Sequence, residues 1–225
     1  MLLGKIMERI EQNKEKTAIV TDGKAYTYNE LLGAYKSYEK ILEDVPRGSV
    51  VAVRGEFDVN TIGLMMALMD HRCIYVPISR AVIDVAYYLE TAKVEYYLDM
   101  DDEKLAGLDE KADHPLYEKL RQMGHPGIVF FSSGTTGTPK AAVHDLMPYI
   151  HRFEEPGKTL LSMAFLLFDH VGNNSSLYFS IAWQTSSGVL FDKVTISPAF
   201  EIECITGIIA YIPNFFAYAS FGALL

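Results

Sequence analysis

Two hydrophobic periods alternate between residues 49 and 98, and this alternation constrains the fold more than any other feature. Short apolar runs at 49–53, 73–78 and 94–98 have the length and composition of buried strands. Between them lie segments with helical spacing. Residues 58–70, rich in Leu and Met, read as one helix. The second helix is expected after Ser79, with Ser79 as its cap and Val82, Ile83, Ala86 and Leu89 as its apolar face. Strands separated by helices of this length imply βαβ units. The expected fold class is therefore α/β, with mostly parallel sheets flanked by helices.

The flanking segments add to this frame. The first ten residues carry charges from Lys5 onward and read as a short surface helix, with no apolar stretch of signal-peptide length. Strands over 18–21 and 24–27 surround Asp22-Gly23, a hairpin turn signal. Thr27 and Glu30 fit a capping box at a helix start, and Leu31, Tyr35, Tyr38 and Leu42 follow on one helical face. Pro46 and Gly48 end that helix.

Residues 99–126 are polar and read as a solvated connection between a first α/β segment (1–98) and a second (127–225). Within the second segment, 127–131, 141–144, 189–191 and 208–212 read as strands. Tyr87-Tyr88 and Tyr96-Tyr97 read as helix and sheet packing.

Composition narrows the function. Lys and Arg number 20 against 29 Asp and Glu, a net charge of −9 in 225 residues. Such a chain is poorly suited to hold nucleic acid or anionic lipid by bulk electrostatics. Its two cysteines, Cys73 and Cys204, lie far apart, which excludes a disulfide scaffold and points to a reducing, cytoplasmic setting. None of the six histidines stands at metal-ligand spacing.

From Cys204 to Leu225 the chain carries no charged residue. Pro213-Asn214 interrupts this stretch, Gly207 and Gly222 weaken it, and no basic anchor flanks it. A strand over 208–212 followed by a core helix over 215–225 is expected there rather than a membrane span.

The chemistry concentrates in Ser132-Ser133-Gly134-Thr135-Thr136-Gly137-Thr138-Pro139-Lys140, which joins two strands. Five hydroxyls, two glycines and one lysine fall within it. Glycines let backbone N–H groups converge into an anion-binding nest. The hydroxyls add neutral donors and Lys140 adds a point charge. A Walker loop would need its lysine followed by Ser or Thr, and here Ala141 follows.

This order resembles the phosphate loop of the adenylate-forming, AMP-binding ligase superfamily: acyl-CoA synthetases, aryl-CoA ligases, luciferases and nonribosomal peptide synthetase adenylation domains. The family pattern is T-S-G-T-T-G-x-P-K-G; here Ser132 replaces the first Thr and Ala141 the last Gly. Further resemblances follow in family order. Residues 26–31 (YTYNEL) are similar to the family's L-T-Y-x-E-L helix start, and 74–78 (IYVPI) to its A-Y-V-P-I strand. Phe168-Asp169-His170 stands where the family carries an aromatic residue followed by His or Asp at the carboxylate-substrate pocket. Tyr211-Ile212-Pro213 resembles the strand before the next pocket helix.

The resemblance implies ATP and Mg²⁺ as reactant and ion, with a small carboxylic or amino acid as substrate. The acid attacks the α-phosphate, pyrophosphate leaves, and an acyl- or aminoacyl-adenylate forms. Coenzyme A or a carrier-protein thiol then takes the acyl group. Ser132, Ser133, Gly134, Thr135, Thr136, Gly137, Thr138 and Lys140 would bind the phosphates. Phe168, Asp169 and His170 would bind the acid. In amino-acid-activating members an Asp at the position of Asp169 pairs with the substrate ammonium; the alternative is that Asp169 caps a following helix.

The family's adenine-stacking N-x-Y-G-x-T-E segment, its ribose-binding Y-x-T-G-D segment and its C-terminal catalytic lysine have no counterpart in these 225 residues. The catalytic residue is therefore unassigned. The expectation is an incomplete, N-terminal portion of the adenylation domain that does not complete the reaction alone and works with a second half or partner chain. The alternative is a non-catalytic remnant that binds nucleotide weakly.

Overall fold

The computed structural model describes residues 2–21, 23–132, 139–153, 162–164, 168–169 and 189–191, all within the unit Met1–Asp192. Its centre is the pair β3 (Val50–Gly55) and β4 (Ile74–Ser79), joined by α3 (Val59–Asp70). The two strands run parallel in continuous register from Val50 opposite Ile74 to Gly55 opposite Ser79. Every residue of β4 is buried, as a strand covered on both faces requires. Asp58 caps α3 by accepting the Thr61 N–H at 2.8 Å.

After β4, α4 (Val85–Thr91) leads to β5 (Tyr96–Asp99), which pairs parallel with the other side of β3. The hairpin partner β6 (Lys104–Gly107) closes that edge, and α5 (Pro115–Met123) leads to β7 (Gly127–Ser132) beside β4. The antiparallel β8 (Lys140–Asp145) follows β7, and then α6 (Met147–Phe153). The resulting order is β6-β5-β3-β4-β7-β8, parallel at its centre and antiparallel at both edges.

The alternation of the strands sorts the core into two layers. Val51, Val53 and Tyr75 face one cluster, shared with α3 and with α2 (Tyr28–Ile41). Val50, Ala52, Ile74, Val76 and Ile78 face the other, where Val85, Tyr88 and Leu89 of α4 and Leu120 of α5 pack. Helices thus cover both faces. The α3 helix is buried nearly all round, with Ile62, Leu64, Met65 and Leu68 wholly excluded from solvent, because α2 covers its outer side. Gly63 permits that approach: a Cβ there would lie 2.7 Å from Ala34 Cβ and 2.8 Å from the Tyr35 backbone nitrogen. Where α3 ends, the Asp70 carboxylate accepts the Tyr35 hydroxyl at 3.0 Å and the Leu3 N–H at 2.9 Å.

A second sheet gathers the strands from both ends of this unit. The order is β2 (Lys24–Thr27), β1 (Thr17–Thr21), β10 (Val189–Phe191) and β9 (Ser162–Ala164). The β1–β2 pair is antiparallel, with Gly23 at φ 74° in its turn, and the other two pairs are parallel. The N-terminal helix α1 (Gly4–Gln12) buries Ile6, Met7 and Ile10. The capping box forms as read: Glu30 N–H donates to Thr27 Oγ1 at 3.2 Å, and Thr27 N–H to the Glu30 carboxylate at 2.7 Å. The described chain is therefore α/β, with mostly parallel sheets flanked by helices.

Three expectations change. Ser79 does not cap α4. It is the last residue of β4, its backbone still in register with β3, and the cap is Asp84, whose carboxylate accepts the Tyr87 N–H at 3.0 Å. Val82 and Ile83 precede the helix, and Ile83 is 99% exposed. The polar stretch 99–124 is more than a connection, since it carries β6 and α5. Most of its charged residues are exposed, while Tyr117 and Leu120 of α5 reach the core. Val82 and Ile83 leading into α4 rather than lying on it is the third change; Tyr87 and Tyr88 pack on each other and on the sheet as read. The strand and helix expected over 204–225 lie outside the described residues, as does Cys204. Among the described residues, no helix is long and apolar enough to cross a membrane.

Candidate functional site

In the central sheet the chain passes from β3 to β4 on one side and returns to place β5 on the other side of β3. The α3 and α4 crossovers consequently lie on opposite faces, which makes the carboxyl ends of β3 and β4 a topological switch point. Open α/β sheets bind ligands at such a switch point.

Two groups of sequence-identified residues stand at this edge. The first is the hairpin mouth. Ser132 ends β7 and Lys140 begins β8, directly opposite each other in register. Both are exposed, and Ser132 Oγ stands 3.5 Å from the Lys140 carbonyl oxygen. Ser133, Gly134, Thr135, Thr136, Gly137 and Thr138 lie outside the described residues. The hairpin extends well past its support. The β7–β4 ladder is confined to Gly127 and Ile128, whereas the β7–β8 ladder continues to Ser132.

The second group is Phe168 and Asp169. Phe168 is wholly buried and meets the Phe57 ring edge-on at a centroid distance of 5.2 Å. Phe57 stands two residues after β3, so this aromatic pair fixes the 168–169 turn near the end of the strand. Asp169 is half-buried, and its Oδ2 accepts the Ser79 hydroxyl at 3.1 Å. Among the described residues no lysine or arginine pairs with Asp169. His170 lies outside the described residues.

The α4 helix stands between the two groups. Tyr88 stacks on Phe131 of β7, with ring centroids 4.0 Å apart and planes 25° from parallel. Burial raises the Tyr88 phenol above its ordinary range, and the Asp169 carboxylate adds to the rise. Tyr87 reaches the other strand of the hairpin, its hydroxyl donating to the Pro139 carbonyl at 2.8 Å. Sequence reading assigned these tyrosines to packing and missed their target. The available signal was their place one short loop after β4, on the helix that crosses the face beside β7. Ser79 was missed for a related reason: at the end of an apolar run, a serine looks like a helix cap.

Beside this switch point an ionic network ties together the loops after β3, β4 and β5. Glu56 accepts the Arg80 N–H at 3.0 Å, and the Arg80 guanidinium meets Asp99 at 2.7 Å and Asp101 at 2.8 Å. Burial alone would raise the Asp99 carboxyl, but the Asp101 N–H and Arg80 outweigh it and hold it below the usual carboxylate range. Cys73, within the core, is pushed up by burial to about 12 and is a packing residue rather than a nucleophile. No cluster of three or more His, Cys, Asp or Glu side chains able to hold a metal ion occurs among the described residues.

The AMP-binding enzyme family matches residues 6–153. No curated protein matches the chain. Among solved structures, the NpsA N-terminal subdomain from Klebsiella oxytoca, in complex with 3-hydroxybenzoyl-AMSN, is similar with a TM-score of 0.66 at 16% identity. That alignment covers 92% of this chain and 57% of NpsA. VinN in complex with L-aspartate aligns with a TM-score of 0.67 at 11% identity, over 92% of this chain and 70% of VinN. The o-succinylbenzoate CoA synthetase MenE from Bacillus subtilis, bound with a product analogue, aligns with a TM-score of 0.63 at 16% identity. It is covered over 46% of its length by 90% of this chain. The chain thus spans between about half and two thirds of these neighbours, and at these identities the likeness is one of fold.

Proposed function

This chain belongs to the AMP-binding enzyme family, and on that premise we propose that it supplies the phosphate loop and part of the acid pocket for ATP-dependent carboxylate activation. The observation that carries the reading is that one strand–helix unit, β4–α4, touches both candidate groups. Ser79 at the end of β4 holds Asp169 at 3.1 Å, and Tyr87 in α4 holds Pro139 at 2.8 Å. An acid bound at Phe168 and Asp169 and a triphosphate bound at the hairpin mouth would meet beyond the carboxyl end of β4. That juxtaposition is what in-line attack of a carboxylate on an α-phosphate requires.

In this reading, the N–H groups and hydroxyls of 132–138 bind the β- and γ-phosphates, and Lys140 adds its charge to the leaving pyrophosphate. Charged hydrogen bonds of this kind contribute about 1.5–3 kcal/mol each, more than the roughly 1 kcal/mol of a neutral one. Transfer then depends mainly on charge stabilisation and alignment. The described residues offer no carboxylate cage for Mg²⁺, so none of them is assigned to the ion. Asp169 selects the acid: a half-buried carboxylate that pairs with no lysine or arginine among the described residues suits a substrate that brings an ammonium. The solved neighbours include VinN with L-aspartate and NpsA with a 3-hydroxybenzoyl compound, so an amino acid and an aryl acid are the two classes to compare. The thiol that receives the acyl group is coenzyme A or a carrier protein.

ATP–pyrophosphate exchange with panels of amino acids and aryl acids tests the proposal on the full-length native gene product. Exchange is expected with an amino acid, and Asp169→Ala should lower kcat/KM for it by roughly tenfold or more, the equivalent of one charged contact. Exchange with aryl acids alone, or an Asp169→Ala variant with unchanged kcat/KM, would remove Asp169 from the role.

A further inference from the structure

The β7–β8 hairpin poses a mechanical problem. An isolated two-stranded hairpin is marginally stable in water. Here β4 supports β7 only as far as Ile128, four residues short of Ser132. The far part, Val129 to Ser132 opposite Lys140 to Val143, has no ladder on the β4 side. Yet this is the part that presents the 132–140 connection. Its own closing contact, Ser132 Oγ to the Lys140 carbonyl, is long at 3.5 Å.

Two contacts from one turn of α4 meet the hairpin at that end, beyond the β4 ladder. The Tyr88 ring lies flat on Phe131, the residue before Ser132. The Tyr87 hydroxyl binds the carbonyl of Pro139, the residue before Lys140. The helix that carries them is fixed in turn. Asp84 caps it through the Tyr87 N–H, and Val85 and Leu89 pack on the core. Val129, Phe130, Phe131 and Val143 pack on the core, and the tyrosines add a further hold on the two chain ends beyond the β4 ladder.

We propose that Tyr87 and Tyr88 are positioning residues that clamp the two ends of the 132–140 connection and thereby set its affinity for a nucleotide triphosphate. This rests on the phosphate-binding reading above, and the clamp itself can be measured without any nucleotide.

The test uses the full chain with Tyr87→Phe, which removes one hydroxyl and keeps the ring. Tyr88→Leu removes the stack, and Tyr88→Phe restores it as the conservative control. Amide hydrogen exchange without nucleotide is followed at 130–132 and 140–142, with β3 and β4 as internal reference. Loss of one hydrogen bond corresponds to a roughly fivefold rise in exchange. That rise is expected in Tyr87→Phe and Tyr88→Leu, with β3 and β4 unchanged and Tyr88→Phe like the parent. ATP titration should show Kd weakened by a similar factor in the same two variants. Unchanged hairpin exchange in both overturns the clamp. Faster exchange with unchanged ATP affinity overturns its role in binding. If the parent chain binds no ATP while the variants exchange faster, the phosphate-loop reading fails and the clamp stands.

Discussion

The β3–α3–β4 unit and the β7–β8 hairpin are neighbours in one sheet, yet they are held by different means. The first is locked on all sides: six register pairs join its strands, α3 is buried almost completely, and α2 closes over it. The second joins the sheet by two register pairs and projects beyond it, with its outer residues Lys140 to Ala142 exposed. The rigid unit ends at Ser79, which holds the proposed acid-binding Asp169. The projecting unit ends at Ser132 and Lys140, which flank the proposed phosphate loop. The division suits the chemistry, since ligand-binding segments are drawn from the less stable parts of a fold while a rigid scaffold positions them.

The largest effect should come from breaking the locked unit. Gly63→Ala would place a Cβ 2.7 Å from Ala34 Cβ and 2.8 Å from a backbone nitrogen of α2, so the two helices must separate. Overpacking of this kind costs roughly 1–3 kcal/mol. Thermal unfolding should shift down as a whole, because Tyr35 of α2 would move relative to Asp70. A variant with the parent's Tm would show that α2 and α3 are not in close contact.

A smaller effect should sharpen the contrast through pH. His144 on β8 meets the Phe130 ring at 5.6 Å, and burial holds its imidazole below the ordinary value of 6.5. In the interval between the folded and unfolded values, the unfolded chain binds a proton that the folded chain does not. The resulting stability is full above 6.5 and is lost as pH falls through the depressed folded value. His144→Gln should therefore flatten the fall in Tm between neutral and mildly acidic pH. An identical slope in the variant would show that His144 is solvated. The locked unit has no such dependence from Cys73, whose thiol stays protonated throughout that range.

The same contrast governs what could be read from the sequence. The β3–α3–β4 unit was legible to within a residue or two, because a buried strand and an all-round buried helix leave strong local patterns. The Thr27–Glu30 box was legible for the same reason, since both partners lie within one turn. The edge of the sheet was less so. The β6 strand and α5 hide in a charged stretch because only one side of each is covered. The candidate site was proposed from the order of residues 132–140 and of 168–170, but its contacts could not be read there. Ser79 and Asp169 are 90 residues apart, and Tyr87 and Pro139 are 52 apart. Such pairs are set by the crossover topology, which no local periodicity records.

The central claim is that the projecting hairpin holds the phosphates of ATP, and Lys140 is its most direct probe. It is exposed at the start of β8, so its replacement should leave the fold intact. The decisive measurement is an ATP titration by calorimetry of the parent protein and of Lys140→Ala, with Tm recorded for both. The account predicts an equal Tm and a Kd weakened by about tenfold or more, as expected for loss of one charged contact. Equal ATP affinity in the two proteins would contradict it.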